Sequence, residues 1–394
     1  MTKSGAKRTL MGGLIASAVL LSGCWDRTEI NDLAILTAGG MDLTEDRKLE
    51  LSVKQYVVSP SSSDQSGSIS SDTGGGSGKS FVRSSRGLSM ADAESHLQQV
   101  LSRKVFWGQD EVFVFGQRLA KDGLAEPMEF LTRHPIPRER ANVFVSQNPA
   151  KEVLELDPPI ERSVSQALRK MAENETGLNI TMKELAEMMA GRARAAVIPW
   201  VEIKPGDGKQ TAFAYINGTA VLKNGKMIGR MNDAETRGIM WLRNEVKKAT
   251  VTVFPTESKG LVSLQLLKSR TELIPHIKGS KWSLTVRIET QDDIVENTSE
   301  LDLSVPDHIW ELERELEDDI IRRVQMALER AQKEMKADIF NFADAFYRKY
   351  PREWNRNKDR WDNLYSKLEV NVQAKVKVVR PGLTNKSIFK PEQR

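Results

Sequence analysis

One cysteine and four histidines in 394 residues leave little material for metal or redox chemistry. A single thiol excludes an intramolecular disulfide and a cysteine-based zinc finger. His96, His134, His276 and His308 are scattered along the chain, so a His-rich metal site is not expected, nor is any cofactor. Neither H-E-x-x-H nor G-x-S-x-G occurs, so no zincin helix and no nucleophile elbow is written here. The adjacent acids Asp292-Asp293 and Asp318-Asp319 do not share a helix face and read as solvated surface. Beyond the first residues, no apolar run approaches the roughly 18–20 residues of a spanning helix. An excess of one charge is also missing. Lys plus Arg number 58 and Asp plus Glu 54, a formal +4. Residues 1–23 hold Lys3, Lys7 and Arg8 and no acid, which leaves 55 against 54, or +1, for the remainder. That balance argues against a nucleic-acid binder, which needs a concentrated basic face. Hydrophobic residues still make up 39%, enough to exclude wholesale disorder. An enzyme is not expected.

What is present is most concentrated at the N-terminus. Lys3, Lys7 and Arg8 precede Leu10–Leu21, a run of 12 residues broken only by small Gly and Ser. This is too short to span a bilayer and suits the apolar core of a signal peptide. It ends in Leu21-Ser22-Gly23-Cys24, and Cys24 is the sole cysteine. The leader resembles a bacterial lipoprotein signal. That resemblance implies removal of residues 1–23 and a diacylglyceryl group on the Cys24 thiol. Two acyl chains anchor a protein stably to a membrane, where one binds marginally. Trp25 then sits either among lipid headgroups, where indole is favoured, or against the first strand. The rest of the chain is expected outside the cytoplasm.

Further on, Leu49, Leu51 and Val53 alternate with polar residues and predict a strand. Residues 61–80 contain nine Ser and five Gly, so a loop without buried apolar surface is expected over 59–80. Gly74–Ser80 (GGGSGKS) imitates a P-loop, but Thr73 stands where the first glycine belongs, and no nucleotide is expected. Helices are predicted over Met90–Ser102, Leu119–Leu131, Pro149–Leu156, Ser163–Ala172 and Thr181–Ala190, the last with a Thr181/Glu184 capping box. Strands are predicted over Glu111–Phe115, Ala141–Ser146 and Val197–Ile203. Asp157-Pro158-Pro159 marks a break near 157 between two subdomains. Pro205-Gly206-Asp207-Gly208 marks the clearest boundary. The organisation expected is therefore an N-terminal α/β region over 24–204 and a C-terminal α+β domain over 209–394.

In the second region, Phe213–Leu222 and Met227–Met231 flank Asn224-Gly225, a hairpin turn whose central residues both take positive φ. Asp233–Glu245 reads as a helix, and Thr250–Phe254 and Leu261–Leu267 as strands. Trp282–Glu289 and Leu368–Val378 alternate apolar and polar residues, the pattern of antiparallel sheets with one covered face. Ile309, Leu312, Leu316, Ile320, Val324, Leu328, Ala331 and Met335 form a stripe at helical spacing. A long amphipathic helix is predicted to cover that sheet. The fold class is thus α+β and multi-domain, with mixed or antiparallel sheets each covered by helices.

Several segments resemble the Ger(x)C family of spore germination lipoproteins, the C subunits of nutrient germinant receptors. They are Gly23-Cys24-Trp25-Asp26-Arg27-Thr28-Glu29-Ile30-Asn31; Phe106-Trp107-Gly108-Gln109; Gly218–Lys223 (GTAVLK); Met231–Gly238 (MNDAETRG); and Asp338-Ile339-Phe340 through Trp354 and Trp361. The resemblance spans residues 20–380. The family often has histidine where Gln109 stands, so no imidazole role carries over. The resemblance implies several mixed α/β domains on the outer face of the inner spore membrane. It also implies two integral-membrane partners, an A-type subunit and a B-type transporter-like subunit, and no catalysis. Glu235 and Arg237 are then partner-contact candidates, with an ordinary helix-start carboxylate as the bland alternative for Glu235. Trp354 and Trp361 are expected beneath the last strand. A solute-binding lipoprotein of a transporter shares the leader, but its paired doubly wound lobes disagree with the second half. An anchored cell-wall hydrolase would need a catalytic pattern that is not found.

Overall fold

The computed structural model describes residues 32–56, 80–134, 137–206, 212–256 and 258–380. The leader, Cys24, Trp25 and the Ser/Gly-rich stretch through Lys79 lie outside the described residues.

The first sheet has nine strands. They are β1 (Leu33–Leu43), β2 (Leu49–Tyr56), β3 (Ser80–Gly87), β4 (Lys104–Phe106), β5 (Val112–Gly116), β6 (Asn142–Ser146), β7 (Ala195–Lys204), β8 (Phe213–Lys223) and β9 (Lys226–Met231). Their order is β3-β2-β1-β5-β6-β7-β8-β9, with β4 beside the start of β1. β1, β5, β6 and β7 run parallel; β2, β3, β8 and β9 are added antiparallel at the flanks. The EVFVF strand shows why the centre is parallel. Phe113 and Phe115 enter one core and Val112 and Val114 the other, so both faces are dry, as parallel sheets require. Helices α1 (Met90–Val100), α2 (Gln117–Asp122), α3 (Ala125–Arg133) and α6 (Met182–Ala190) cover one face. Helices α4 (Ala150–Glu155) and α5 (Val164–Glu173) cover the other. Strands on both sides of Asp157 and of Pro205-Gly206 belong to this one sheet.

Helix α7 (Asp233–Leu242) leads to the second sheet, β10 (Thr250–Val253), β11 (Val262–Lys278), β12 (Lys281–Asn297) and β13 (Glu369–Arg380), in that order. Helix α8 (Pro306–Glu329) continues into a π-helical turn, Arg330–Met335. It buries Leu312, Leu316, Ile320, Val324 and Leu328, the expected stripe, against this sheet and α7. Short helices α9 (Phe342–Lys349), α10 (Pro351–Asn357) and α11 (Trp361–Lys367) complete the layer. One apolar core runs through both sheets.

Several expectations change in detail. The Leu119–Leu131 helix is two helices, because Gly123 takes φ +145° and Leu124 N–H turns to donate to Gly225 O at 2.8 Å. The Asn224-Gly225 turn is as read, with φ of 49° and 76°. The Leu261–Leu267 strand continues to Lys278. β13 pairs with β12 in parallel, not antiparallel. Alternation reports one covered face and says nothing about direction; the crossover through α8–α11 brings the chain back to the same end of the sheet. The β13 edge is blocked by α8: Val376 N–H and Val378 N–H donate to Glu317 Oε1 (3.0 Å) and Glu313 Oε1 (2.9 Å), which closes part of an exposed strand edge.

Candidate functional site

The MNDAETRG segment builds the junction between the sheets. Asn232 caps α7 and Glu235 answers it: Glu235 N–H donates to Asn232 Oδ1 (2.9 Å), and Asn232 N–H donates to Glu235 Oε2 (2.7 Å). The other Glu235 oxygen lies 4.0 Å from Arg330 Nε. Arg237 Nε is 3.8 Å from Asp233 Oδ2. Two residues apart on a helix do not share a face, so the structure turns Glu235 and Arg237 toward different neighbours. Thr236 hydroxyl meets Thr219 hydroxyl at 2.8 Å in the buried interior. Gly238 is required by contact: a Cβ there would lie 2.3 Å from Arg323 O and 2.7 Å from the Ala327 Cβ. Gly218, at φ +92°, would put a Cβ 2.2 Å from Met231 O. These motif residues set the β8–β9 approach and the α7–α8 crossing.

The other motifs are also packing devices. Trp107 is fully buried and donates its indole N–H to Glu94 Oε1 at 2.5 Å. Its Gly39 neighbour leaves the room, since a Cβ there would meet the Phe113 ring at 2.7 Å and Trp107 at 3.1 Å. Gln109 Oε1 accepts from Arg138 Nη2 at 2.6 Å. Asp338, fully buried, accepts from Phe340, Phe342 and Ala343 N–H and from Trp361 Nε1. It thereby caps α9 and ties it to α11. Trp354 and Trp361 are buried as expected; Trp361 contacts Trp282 of β12, the neighbour of the last strand.

Two concavities among the described residues bear on function. A groove of about 860 Å³ lies between Ala190–Arg194, the β8–β9 turn and α9–α11, lined by Arg192, Arg194, Lys223, Tyr347, Trp354 and Lys358 among others. Its polar groups are largely paired: Arg192 with Asp344 at 2.6 Å and stacked on Tyr347 at 3.6 Å, and Lys223 with Asp362 at 2.5 Å. A crevice of about 650 Å³ lies at the carboxyl ends of β1, β5 and β6 and contains Asp42, the place where open parallel sheets usually receive ligands. Asp42 Oδ1 and Oδ2 accept from Ala150 and Lys151 N–H at 2.9 and 3.2 Å. Burial pushes its carboxyl up to about 6 against those two bonds. Asp110 is likewise pushed up to about 6 by burial, with Oδ2 accepting from Arg138 N–H at 3.0 Å and Oδ1 unpartnered. Sequence reasoning passed over Asp42 and Asp110, and named Asp338 only as part of a family segment. The available signal was an isolated acid flanking an apolar strand (Met41-Asp42, Asp110 before EVFVF). Among the described residues, no group of three or more His, Cys, Asp and Glu is placed to hold a metal. No helix among them is long and apolar enough to cross a membrane.

A mixed nine-stranded sheet joined through one helix crossing to a four-stranded sheet defines an α+β protein built around packing junctions. The chain belongs to the Ger(x)C family of spore germination proteins. Residues 26–203 match the family described as spore germination protein N-terminal domain, and residues 217–382 match spore germination B3/GerAC like, C-terminal. It is 30% identical to the putative spore germination protein YfkR of Bacillus subtilis (strain 168), over 94% of this chain and 96% of that one. It is 27% identical to spore germination protein KC of the same organism, over 95% and 96%. The crystal structure of the GerBC protein shares the fold, with a TM-score of 0.54 at 17% identity, covering 86% of this chain and 96% of that one.

Proposed function

We propose that the mature chain is the lipid-anchored, non-catalytic C subunit of a nutrient germinant receptor. It scaffolds or modulates A-type and B-type integral-membrane subunits on the outer face of the inner spore membrane. The observation that carries this is the end-to-end match to spore germination proteins in a chain whose leader ends at a unique Cys24. The family motifs that survive in the sequence are spent on caps and close approaches, which supports a role in presenting surfaces. Trp25, Glu235 and Arg237 are candidate partner contacts in this reading. Arg237 is the more available of the pair, since both oxygens of Glu235 already face neighbours.

Purification of the receptor from spore membranes tests the assembly: this chain should co-purify with two polytopic proteins, and its absence from them overturns the reading. Intact mass should show cleavage before Cys24 and added acyl mass, whereas Cys24→Ala should leave precursor or an unanchored protein. A membrane form retaining residues 1–23 without acyl mass contradicts the anchor.

A further inference from the structure

The composition is nearly balanced, yet the fold separates its charge. Residues 307–318, in the first half of α8, carry six carboxylates and one cation, Arg314; Asp319, next in sequence, is buried and paired with Arg322 and Arg323. Residues 348–360 carry six cations, Arg348, Lys349, Arg352, Arg356, Lys358 and Arg360, and two acids. All six are exposed. Among the described residues none of them forms an ion pair; Arg360 instead donates to Asn357 Oδ1, and Lys349 lies 5.7 Å from the Tyr350 ring centre. Elsewhere in the fold exposed cations repeatedly meet carboxylates, as Arg47 does Asp122 and Lys281 does Glu369. The two charged regions occupy opposite ends of α8. Glu313 reaches Val378 at the end of β13, and Gln332 reaches Tyr365 O and Leu368 O at its start. Glu313, in the middle of the acidic stretch, is 16 residues from the end of α8 at Glu329, about 24 Å along the helix and about three screening lengths at physiological salt.

A second observation places the chain's beginning on the basic side. β1, β5, β6 and β7 are parallel, so they start at one edge of the sheet. Leu33 and Ala195 are both at that end, three strand spacings apart, about 14 Å sideways. The basic helices close a groove with Ala190–Arg194 at the same edge. Asp32, the first described residue, is eight residues after Cys24, a reach of at most about 29 Å.

We propose that the Arg348–Arg360 surface lies on anionic phospholipid and fixes how the anchored protein faces its membrane, with the acidic start of α8 turned away. This rests on the lipid anchor proposed above. Half-buried Tyr347 and Tyr350 among the cations suit the headgroup region, which favours amphipathic rings. Each cation near an anionic leaflet contributes about 1 kcal/mol, or about fivefold in partitioning.

The test uses residues 25–394, which lack the acyl site and keep every described element. They should bind vesicles of phosphatidylcholine with 30% phosphatidylglycerol, bind neutral phosphatidylcholine vesicles far more weakly, and be released by 0.5 M salt. Lys349→Gln with Arg352→Gln and Arg356→Gln should weaken binding about hundredfold. Lys268→Gln with Lys375→Gln and Lys377→Gln removes three exposed cations from the sheet's open face and should change it less than threefold; circular dichroism melts confirm folding of both variants. Equal losses in the two variants, no preference for anionic vesicles, or tighter binding to duplex DNA than to the vesicles would each overturn the proposal. The acylated chain's recovery in the membrane fraction is scored separately. Failure of the vesicle test with that recovery intact removes the patch and leaves the anchor.

Discussion

Asp110 shows how one buried carboxylate makes stability depend on pH. Burial holds its pKa near 6, above an ordinary value of 3.8. The native state therefore binds more protons than the unfolded chain between about pH 4 and 6, and stability falls as pH rises through that window. Asp110→Asn removes this group's titration while keeping an oxygen for Arg138 N–H. The variant should melt higher than the parent at pH 7.5, by about 1 kcal/mol of stability, and their melting temperatures should converge toward pH 4.5. Asp42 and Asp292, both also raised to about 6 by burial, keep a residual slope in the variant; Asp292 and Asp319 are buried, not on the solvated surface expected for their acidic pairs. Identical pH profiles for the two proteins would show that Asp110 is solvated. Such residues are hard to read from sequence because an acid beside a strand looks the same whether its oxygens meet water or backbone. The proposal for Cys24 is the contrary case, since it rests on the leader around that residue alone.

At the scale of elements, what was legible was what is decided locally. The Thr181/Glu184 capping box and the Asn224-Gly225 hairpin are set by neighbours in sequence. The α8 stripe was legible because seven turns repeat one spacing. β1, at the sheet's centre, was missed because Gly39-Gly40 interrupts its apolar pattern. Those glycines answer Phe113 and Leu154, which lie 74 and 114 residues away. Polar β3 was missed because its strand character comes from pairing with β2. Gly238 is the element-scale test. Gly238→Ala sets a methyl against the α8 backbone and should cost about 2–3 kcal/mol in urea unfolding; a loss below about 0.5 kcal/mol would mean that the helices do not cross closely there. The β2–β3 connection gives the opposite expectation. Tyr56 and Ser80 are already cross-strand partners, so replacing residues 57–79 by a short turn should shift stability by about 1–2 kcal/mol or less, because closure entropy changes slowly with loop length. A melting temperature lowered by more than about 5 °C would show that the removed segment is packed.

For the whole molecule, neutrality of composition concealed polarity of arrangement. Residues 348–360 carry a net +4 (six cations, two acids) and residues 307–318 a net −5 (six acids, one cation), which nearly cancel in a count. Only the fold shows that they lie toward opposite ends of α8. A near-neutral chain that segregates its charge and ties its family motifs into packing junctions suits the membrane-side receptor subunit proposed above. The proposed function requires this chain for nutrient sensing by a germinant receptor. Spores lacking this gene and its paralogues measure that directly. They should be dormant and heat-resistant, fail to germinate when the receptor's nutrient is added, and still germinate with triggers that bypass receptors. Germination at the normal rate with that nutrient would contradict the account.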